Sequence, residues 1–213
     1  MKFRTYNQIR FYAISNGIDI EDDYKGNILT ATIDRIAVID PKDKKELKKY
    51  KTVFRTVLDY YLRNEPERII AADVENEIFV KNASDNDYVA AVHSSKILKE
   101  DALISTMRAG SDKKFDLIIN EGANPNNKKQ CITAASKYAT PHMLEVLNDK
   151  FDIDWNGDDN MCLLMASRFQ SKDNISYLIE SGARSGAKSS VIKKMLEQRF
   201  GEDDEEWLKS LAL

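Results

Sequence analysis

Three segments in the second half of the chain align with one another without a gap, and this internal repeat constrains the fold more than any other feature. Their apolar positions coincide, as in the column formed by Phe115, Met143 and Ile175. Each segment predicts a short helix, a tight turn and a second helix whose apolar residues recur at i, i+3 and i+4. Such a pair cannot bury its apolar face alone, so the pairs are expected to stack. The segments are LISTMRAGSDKKFDLIINEGA (residues 103–123), CITAASKYATPHMLEVLNDKF (131–151) and LLMASRFQSKDNISYLIESGA (163–183).

A glycine or its substitute closes each copy. Gly122 and Gly182 suit the left-handed backbone conformation just past a helix, and Lys150 occupies this column in the middle copy. Other characteristic stretches are INEGANPN (119–126), LIESGA (178–183) and the pairs Ala134-Ala135 and Ala166-Ser167. With these stretches, residues 102–186 resemble the ankyrin-repeat family, whose unit of about 33 residues is a hairpin finger plus two antiparallel helices. The family's threonine-proline helix start is absent from all three copies.

The resemblance implies a mainly α fold: a short ankyrin-like helical repeat stack with a helical N-terminal region and a C-terminal capping helix pair. The expected division is a mostly helical region over residues 1–100, with room for worn repeats, then repeats over 101–187 and the cap over 188–213. In the first region a helix is predicted at residues 6–15. A second helix is predicted to run up to Asn64, with Asp40 as its N-cap and Pro41 at its first position. Between the two, NILTATIDRIAVID (27–40) fits either a helix or a strand.

The composition limits the classes of function. The chain has 213 residues, 42% of them hydrophobic and 31% charged, with a net charge of -3, so it gives no global attraction for nucleic acid or an anionic membrane. Two cysteines cannot form a disulfide framework. Arg10 interrupts the apolar run at the N-terminus, and no window has the uncharged length of a membrane span. A cytoplasmic location with no membrane association is therefore expected.

The stretch DIDWNGDDN (152–160) imitates the start of a calcium-binding EF-hand loop. Such a loop needs a bidentate carboxylate at its twelfth position, and counting from Asp152 this position is Leu163. The stretch aligns instead with the finger between two ankyrin-like repeats. We therefore expect no metal ion here.

Catalytic chemistry has little support in the sequence. His93 and His142 are the only histidines, and neither belongs to a recognisable nucleophile or metal motif. Cys131 and Cys162 begin the first helices of neighbouring copies and are predicted to be small core residues. No catalytic residue and no cofactor is expected.

The ankyrin resemblance implies that finger tips and first helices bind another protein. Whether Trp155 contacts a partner or folds back onto its own repeat stays open. The expected function is an intracellular adaptor or inhibitor, and modules of this kind also resemble those that viruses, phages and intracellular bacteria direct against host proteins. The candidate contact residues are Arg108, Asn127, Lys128, Lys137, Trp155, Asn156, Asp158, Arg168 and Phe169.

A run of lysines from Lys42 to Lys51 is the other notable charge feature. Cations at the start of a helix oppose its macrodipole, which hints at a use against an acidic protein surface or phosphate; solvated lysines are the alternative. A basic patch is predicted from Lys44, Lys45, Lys48 and Lys49. The alternative function is an N-terminal domain with enzymatic or nucleic-acid-binding activity that the repeats direct to a target.

Overall fold

A computed structural model describes residues 3–20, 27–157, 161–201 and 204–211. In these residues the chain forms α-helices joined by turns and short 3-10 segments, with no β-strand, so the prediction of a mainly α fold is confirmed. The chain divides into two compact units, Met1–Glu121 and Gly122–Leu213. None of the helices described is long and apolar enough to cross a bilayer. The domain boundaries expected near residues 100 and 187 stay predictions.

In the first unit, consecutive helix pairs stack on one another. The first helix of each pair contacts the first helix of the next pair, and the second helix contacts the second helix of the next. Helix α5 contacts α2 and α7, and helix α6 contacts α3 and α8. The longest helix, α3, also contacts α1, α2 and α5. A 3-10 turn at Pro66–Arg68 follows it. The helices are α1 (Tyr6–Ser15), α2 (Ile28–Ala37), α3 (Lys44–Asn64), α4 (Ala71–Val74), α5 (Glu77–Asn82), α6 (Asp85–Ser94), α7 (Lys99–Ala109) and α8 (Asp112–Asn120).

The segment that fitted either a helix or a strand is helix α2. Asn27 caps it, because its Oδ1 accepts hydrogen bonds from the backbone N–H groups of Leu29 (3.0 Å) and Thr30 (3.4 Å). The Thr32 hydroxyl donates to the carbonyl of Ile28 at 2.7 Å. Packing on α3 overrides the strand preference of the β-branched residues, since propensity is a weak prior against tertiary burial.

Helix α1 has the predicted bounds, Tyr6–Ser15. The predicted start of α3 is wrong, because the helix begins at Lys44 rather than at Pro41. Asp40 and Pro41 belong to a preceding turn, in which the Asp40 carboxylate accepts from the backbone N–H of Lys42 at 2.9 Å. Asp43 is the actual N-cap and accepts from the N–H of Glu46 at 2.9 Å. Asp40 and Asp43 are both residues that can cap a helix, but only Asp43 directly precedes the helix whose apolar side chains are buried.

Aromatic side chains connect the helices of the first unit. Phe54 on α3 meets Phe79 on α5 edge to face, with ring centroids 5.5 Å apart, and Phe79 meets Tyr88 on α6 at 6.3 Å. All three rings are fully buried. The Tyr88 hydroxyl donates to the carbonyl of Ala102 on α7 at 3.2 Å, which satisfies the polar end of an otherwise apolar column. Burial raises the pKa of this hydroxyl well above its ordinary value.

A buried carboxylate, Asp73 on α4, lies beside the cap of α2. Its two oxygens accept hydrogen bonds from the Thr30 hydroxyl (2.9 Å) and the Asn27 amide (3.2 Å). Burial raises the pKa of Asp73 to about 6, against the lowering effect of these two donors, and the charge of Asp34 raises it further. The group is only 3% exposed. Its ionised form is therefore less favourable in the fold than in water.

We expect Asp73 to make the fold less stable as the pH rises. The unfolded carboxyl has a pKa near 3.9, so between about pH 4 and pH 6 the folded chain binds more protons than the unfolded chain. Its stabilising contribution is complete below about pH 4 and is lost as the pH rises through about 6, on the order of 2 kcal/mol in total. Asp73→Asn should raise the melting temperature at pH 7.5 and flatten its pH dependence.

The exposed Asp149→Asn variant is the matched control for this measurement, because it removes the same charge at the end of a surface helix. It should leave the pH profile of the melting temperature as in the parent. A parent protein whose stability rises from pH 4 to pH 7 with an unchanged slope in Asp73→Asn would contradict the assignment.

In the second unit, α11 packs against α9 on one side and α13 on the other. The facing positions carry small buried residues, among them Ala134, Ala135, Ala166 and Ser167, which allow the helices to approach closely. The Gly182 φ of 103° is left-handed, as predicted, whereas α10 ends at Lys150 with Phe151 in an extended conformation. The helices are α9 (Lys129–Tyr138), α10 (Pro141–Lys150), α11 (Met161–Phe169), α12 (Lys172–Glu180), α13 (Ser189–Phe200) and α14 (Glu205–Ser210).

Side chains from one helix pair hold the turn of the preceding pair. The buried Gln170 and Asn174 amides both donate to the carbonyl of Ala139, at 3.0 and 3.3 Å. Arg199 on α13 donates in turn to the carbonyls of Ser167 and Gln170 at the end of α11. These bonds satisfy carbonyl groups that have no partner inside their own helix.

The last two helices, α13 and α14, pack against their neighbours through one apolar side and an aromatic pair. Ile192 and Leu196 are fully buried, whereas Val191 is 49% exposed. Phe200 meets Trp207 edge to face at 5.4 Å. The Trp207 indole donates to the Ser176 hydroxyl on α12 at 2.9 Å, so the terminal helix is attached to the preceding pair.

Candidate interaction surface

Two connecting segments of the second unit fold in the same way. The Asn124 side chain accepts from the backbone N–H of Asn126 at 3.0 Å, and the Asp154 side chain accepts from that of Asn156 at 2.9 Å. Each is an Asx turn, in which a side-chain oxygen replaces a backbone carbonyl. The sequence alignment predicted a finger between repeats over residues 152–160, and the turn at Asp154–Asn156 lies within that stretch.

The asparagine that ends each Asx turn binds the next connection. The Asn126 amide donates to the carbonyl of Asp152 at 3.3 Å, and the Asn156 amide donates to that of Gly182 at 3.0 Å. The Asn156 oxygen also accepts from the backbone N–H of Arg184 at 2.8 Å. Both polar atoms of the Asn156 side chain are therefore engaged inside the unit, which leaves this predicted contact residue with a structural role.

Trp155, between Asp154 and Asn156, points into the core. It is 2% exposed and is the largest of the fully buried side chains. Its indole N–H has no acceptor among the described residues. The structure thus favours the second of the two alternatives that the sequence left open, and Trp155 is left out of the contact surface defined below.

Phe169 at the end of α11 is the prominent exposed aromatic residue of this unit, with 50% of its surface accessible. The Lys137 ammonium, at the end of α9, lies 4.4 Å from the centre of the Phe169 ring and 4.8 Å from that of Tyr138. Both distances are within the range of a cation–π interaction. Arg168, the next residue along, is exposed and forms no ion pair with any described residue. The structure thus brings together two of the predicted contact residues, Lys137 and Phe169, and Arg168 is adjacent to Phe169 in the sequence.

A shallow hollow of about 230 Å³ lies at the other end of α9. Asn126, Asp154 and Gly157 of the two connections line one part of it, and Lys129 and the half-buried Ile132 on α9 line the other. Sequence reasoning missed Lys129 and Ile132. The sequence does contain a signal for them, because they form an i, i+3 pair directly after the connection. The candidate contact residues predicted on this helix lie at its other end instead.

The remaining predicted residues are spread over the molecule. Arg108 is exposed at the end of α7, in the first unit. Asn127 is exposed in the 3-10 turn before α9, and Lys128 is half-buried at the N-cap of that helix. Asp158 lies outside the described residues. The four predicted patch residues, Lys44, Lys45, Lys48 and Lys49, are all exposed on the first turns of α3.

The groups considered for catalysis have ordinary surroundings. His93 Nε2 lies 3.0 Å from Glu121 Oε2 in an exposed pair. Cys131 and Cys162 are buried, as predicted for core residues, and neither forms a disulfide among the described residues. In the part of the chain that the structure describes, no three His, Cys, Asp or Glu side chains are grouped closely enough to hold a metal ion.

No family model, curated protein or solved structure matches this chain. The ankyrin interpretation therefore stays a prediction that depends on the quoted residues. Function has to be inferred from the surfaces of each unit.

We expect Trp155→Ala to lower the free energy of unfolding by about 3–5 kcal/mol, the usual cost of truncating a buried aromatic residue. Urea unfolding followed by circular dichroism measures this loss. In a Trp207→Phe background, where Trp155 is the only indole, the fluorescence should resist quenching by iodide. Free access of iodide together with an unchanged stability would instead place Trp155 on the surface.

Asn156→Ala should destabilise the second unit by about 1–3 kcal/mol, because it leaves the Gly182 carbonyl and the Arg184 N–H without their side-chain partner. Asn148→Ala, at an exposed position on α10, is the matched control and should stay within about 0.5 kcal/mol of the parent. Equal urea midpoints for the two variants would show that the connection is not held by Asn156.

Proposed function

We propose that the second unit binds another protein through the surface formed by Lys129, Ile132, Lys137, Arg168 and Phe169, called here the α9–α11 surface. The single observation that carries the proposal is the half-exposed Phe169 ring with the Lys137 ammonium over it, next along the chain to the exposed Arg168. Aromatic and arginine side chains are enriched among interface residues whose truncation costs most binding energy. A phenyl ring kept at the surface by the fold has its apolar area available for a partner.

The length and charge of the surface describe the partner segment. From Lys129 to Lys137 the axis of α9 rises by about 12 Å, which an extended segment of about four residues would span. Lys129, Lys137 and Arg168 would face carboxylates, and Phe169 and Ile132 would face an apolar side chain. The expected partner segment therefore carries an apolar residue flanked by Asp or Glu.

Hydrogen bonds between the helix pairs of the second unit support its proposed role in binding a protein. Asn126 and Asn156 hold the connections, and Gln170, Asn174 and Arg199 hold the turns. A surface on such a scaffold loses little conformational entropy when a partner binds, which leaves more of the contact energy for affinity.

This binding mode is the one that the ankyrin-like repeats imply, so the proposed role is that of an adaptor or inhibitor, with a host protein as one candidate target. A cytoplasmic location belongs to the same proposal. Two buried thiols that form no disulfide among the described residues are compatible with a reducing compartment.

Phe169→Ala should weaken partner binding about 30-fold, which corresponds to a hot-spot loss of about 2 kcal/mol. The partner is first identified by photo-crosslinking, with benzoylphenylalanine at position 169, in the cells that make the protein. Binding of the purified partner is then compared by calorimetry for the parent, Phe169→Ala and Lys137→Ala/Arg168→Ala.

Phe11→Ala is the control, because it removes another exposed phenyl ring, 74% accessible, from the first unit. It should leave the affinity unchanged, and all variants should keep the parent melting temperature. A partner that crosslinks equally well from position 145 on α10, or that binds Phe169→Ala as tightly as the parent, would refute the proposed surface.

A further inference from the structure

Four cations form one row along the exposed side of α3. Lys44, Lys48, Lys51 and Arg55 follow one another at i, i+4, i+7 and i+11, so they share one face of the helix. At 1.5 Å per residue the row is about 16 Å long, with steps of about 4.5–6 Å. The structure therefore divides the predicted basic patch: Lys44 and Lys48 belong to this row, here called the α3 stripe, whereas Lys49 lies against the Tyr50 ring at 4.9 Å.

The stripe lies along a shallow groove of about 340 Å³, and none of the described residues that line it is a carboxylate. Leu47 and Thr52 complete the lining, and the Thr52 hydroxyl donates to the carbonyl of Lys48 at 2.9 Å. No stripe residue makes an ion pair with any residue that the structure describes. Glu46, on the same turns, pairs with Arg35 at 2.5 Å instead, and Asp59, four residues after Arg55, pairs with Arg63 at 2.5 Å.

The row of cations destabilises helix α3. Like charges at i, i+4 repel one another, and cations in the first turn oppose the helix macrodipole. A net charge of -3 for the whole chain makes the local concentration of positive charge more distinctive, since general basicity does not explain it. An anion that bound along the row would remove both penalties.

The absence of apolar surface on the stripe indicates the class of anion. Leu47, the only apolar residue among the described residues of the groove, is half-buried, and none of the large exposed hydrophobic residues lies on α3. Specific protein interfaces need a desolvated apolar centre, which this row of cations lacks. A nucleic-acid backbone needs only cations, because binding follows from the release of counterions. Among the described residues, the lining also has no aromatic ring on which the bases of a single strand could stack.

We propose that the α3 stripe binds the phosphate backbone of a nucleic-acid duplex without reading its sequence. Four cations in a row of about 16 Å can each contact one phosphate of the duplex backbone. This activity belongs to the first unit and is independent of the proposed protein binding by the second.

The test uses the full-length protein and fluorescein-labelled 20-base-pair duplexes of DNA and of RNA, with fluorescence anisotropy measured from 50 to 300 mM KCl. Four phosphate contacts predict a slope of log K against log[KCl] of about -3.6 for duplex DNA. Lys44→Gln/Lys48→Gln/Lys51→Gln/Arg55→Gln should weaken binding at least tenfold at 50 mM KCl. Lys48→Gln alone should reduce the slope by about 0.9.

A second quadruple variant, Arg4→Gln/Lys150→Gln/Lys193→Gln/Lys194→Gln, has the same composition of replaced cations and the same net charge of -7, from -3 minus 4. It replaces exposed residues outside the stripe and should bind within twofold of the parent. Binding to either duplex with this pattern supports the proposal and identifies DNA, RNA or both as the ligand. The proposal is overturned if neither duplex binds at 50 mM KCl or if the two quadruple variants lose affinity equally. It is also overturned if the protein binds polyglutamate or phosphatidylserine vesicles more tightly than either duplex.

Discussion

The short helices of this protein depend on their neighbours for stability. Helices α9 to α14 have 6 to 12 residues, and isolated helices below about 12–15 residues are marginal in water. The backbone carbonyls at their ends also need hydrogen-bond donors from outside the helix. Gln170, Asn174 and Arg199 supply these donors to the preceding turn. Packing and end-capping come from the same neighbouring pair. A contact at a turn therefore supports two helices at once.

The same dependence decides which aromatic residues are available at the surface. The Asx turn at Asp154 fixes the direction of the chain at Trp155, and the side chain enters the core because both flanking residues bind backbone groups of the connections. Phe169 follows Ser167, whose carbonyl is already occupied by Arg199, and its ring remains outside under the Lys137 ammonium. Sequence position alone does not distinguish the two rings. The hydrogen bonds made by the residues next to each ring distinguish the buried Trp155 from the exposed Phe169.

Local signals predicted helices well and surfaces less well. The bounds of α1 follow from a Thr5/Gln8 capping box next to a periodic run, and the left-handed Gly182 follows from its place just past a helix. The nature of α2 could not be predicted, because its β-branched residues are helical only through burial against α3. The role of Asn156 needed coordinates, since its partners lie 26 and 28 residues away. Helical spacing could have identified Lys51 and Arg55, whereas exposure and the missing carboxylates required the structure.

The two proposed surfaces differ in the physical origin of their affinity. The α3 stripe offers charge with almost no apolar area, so its binding would weaken steeply with salt and tolerate many sequences. The α9–α11 surface combines an exposed ring with cations, so apolar burial would keep much of its affinity at high salt while the cations select acidic partners. Salt dependence therefore assigns any newly found ligand to one surface before a single residue is changed. Under the two proposals, a ligand lost between 50 and 300 mM KCl would be assigned to the α3 stripe, and one retained over that range to the α9–α11 surface.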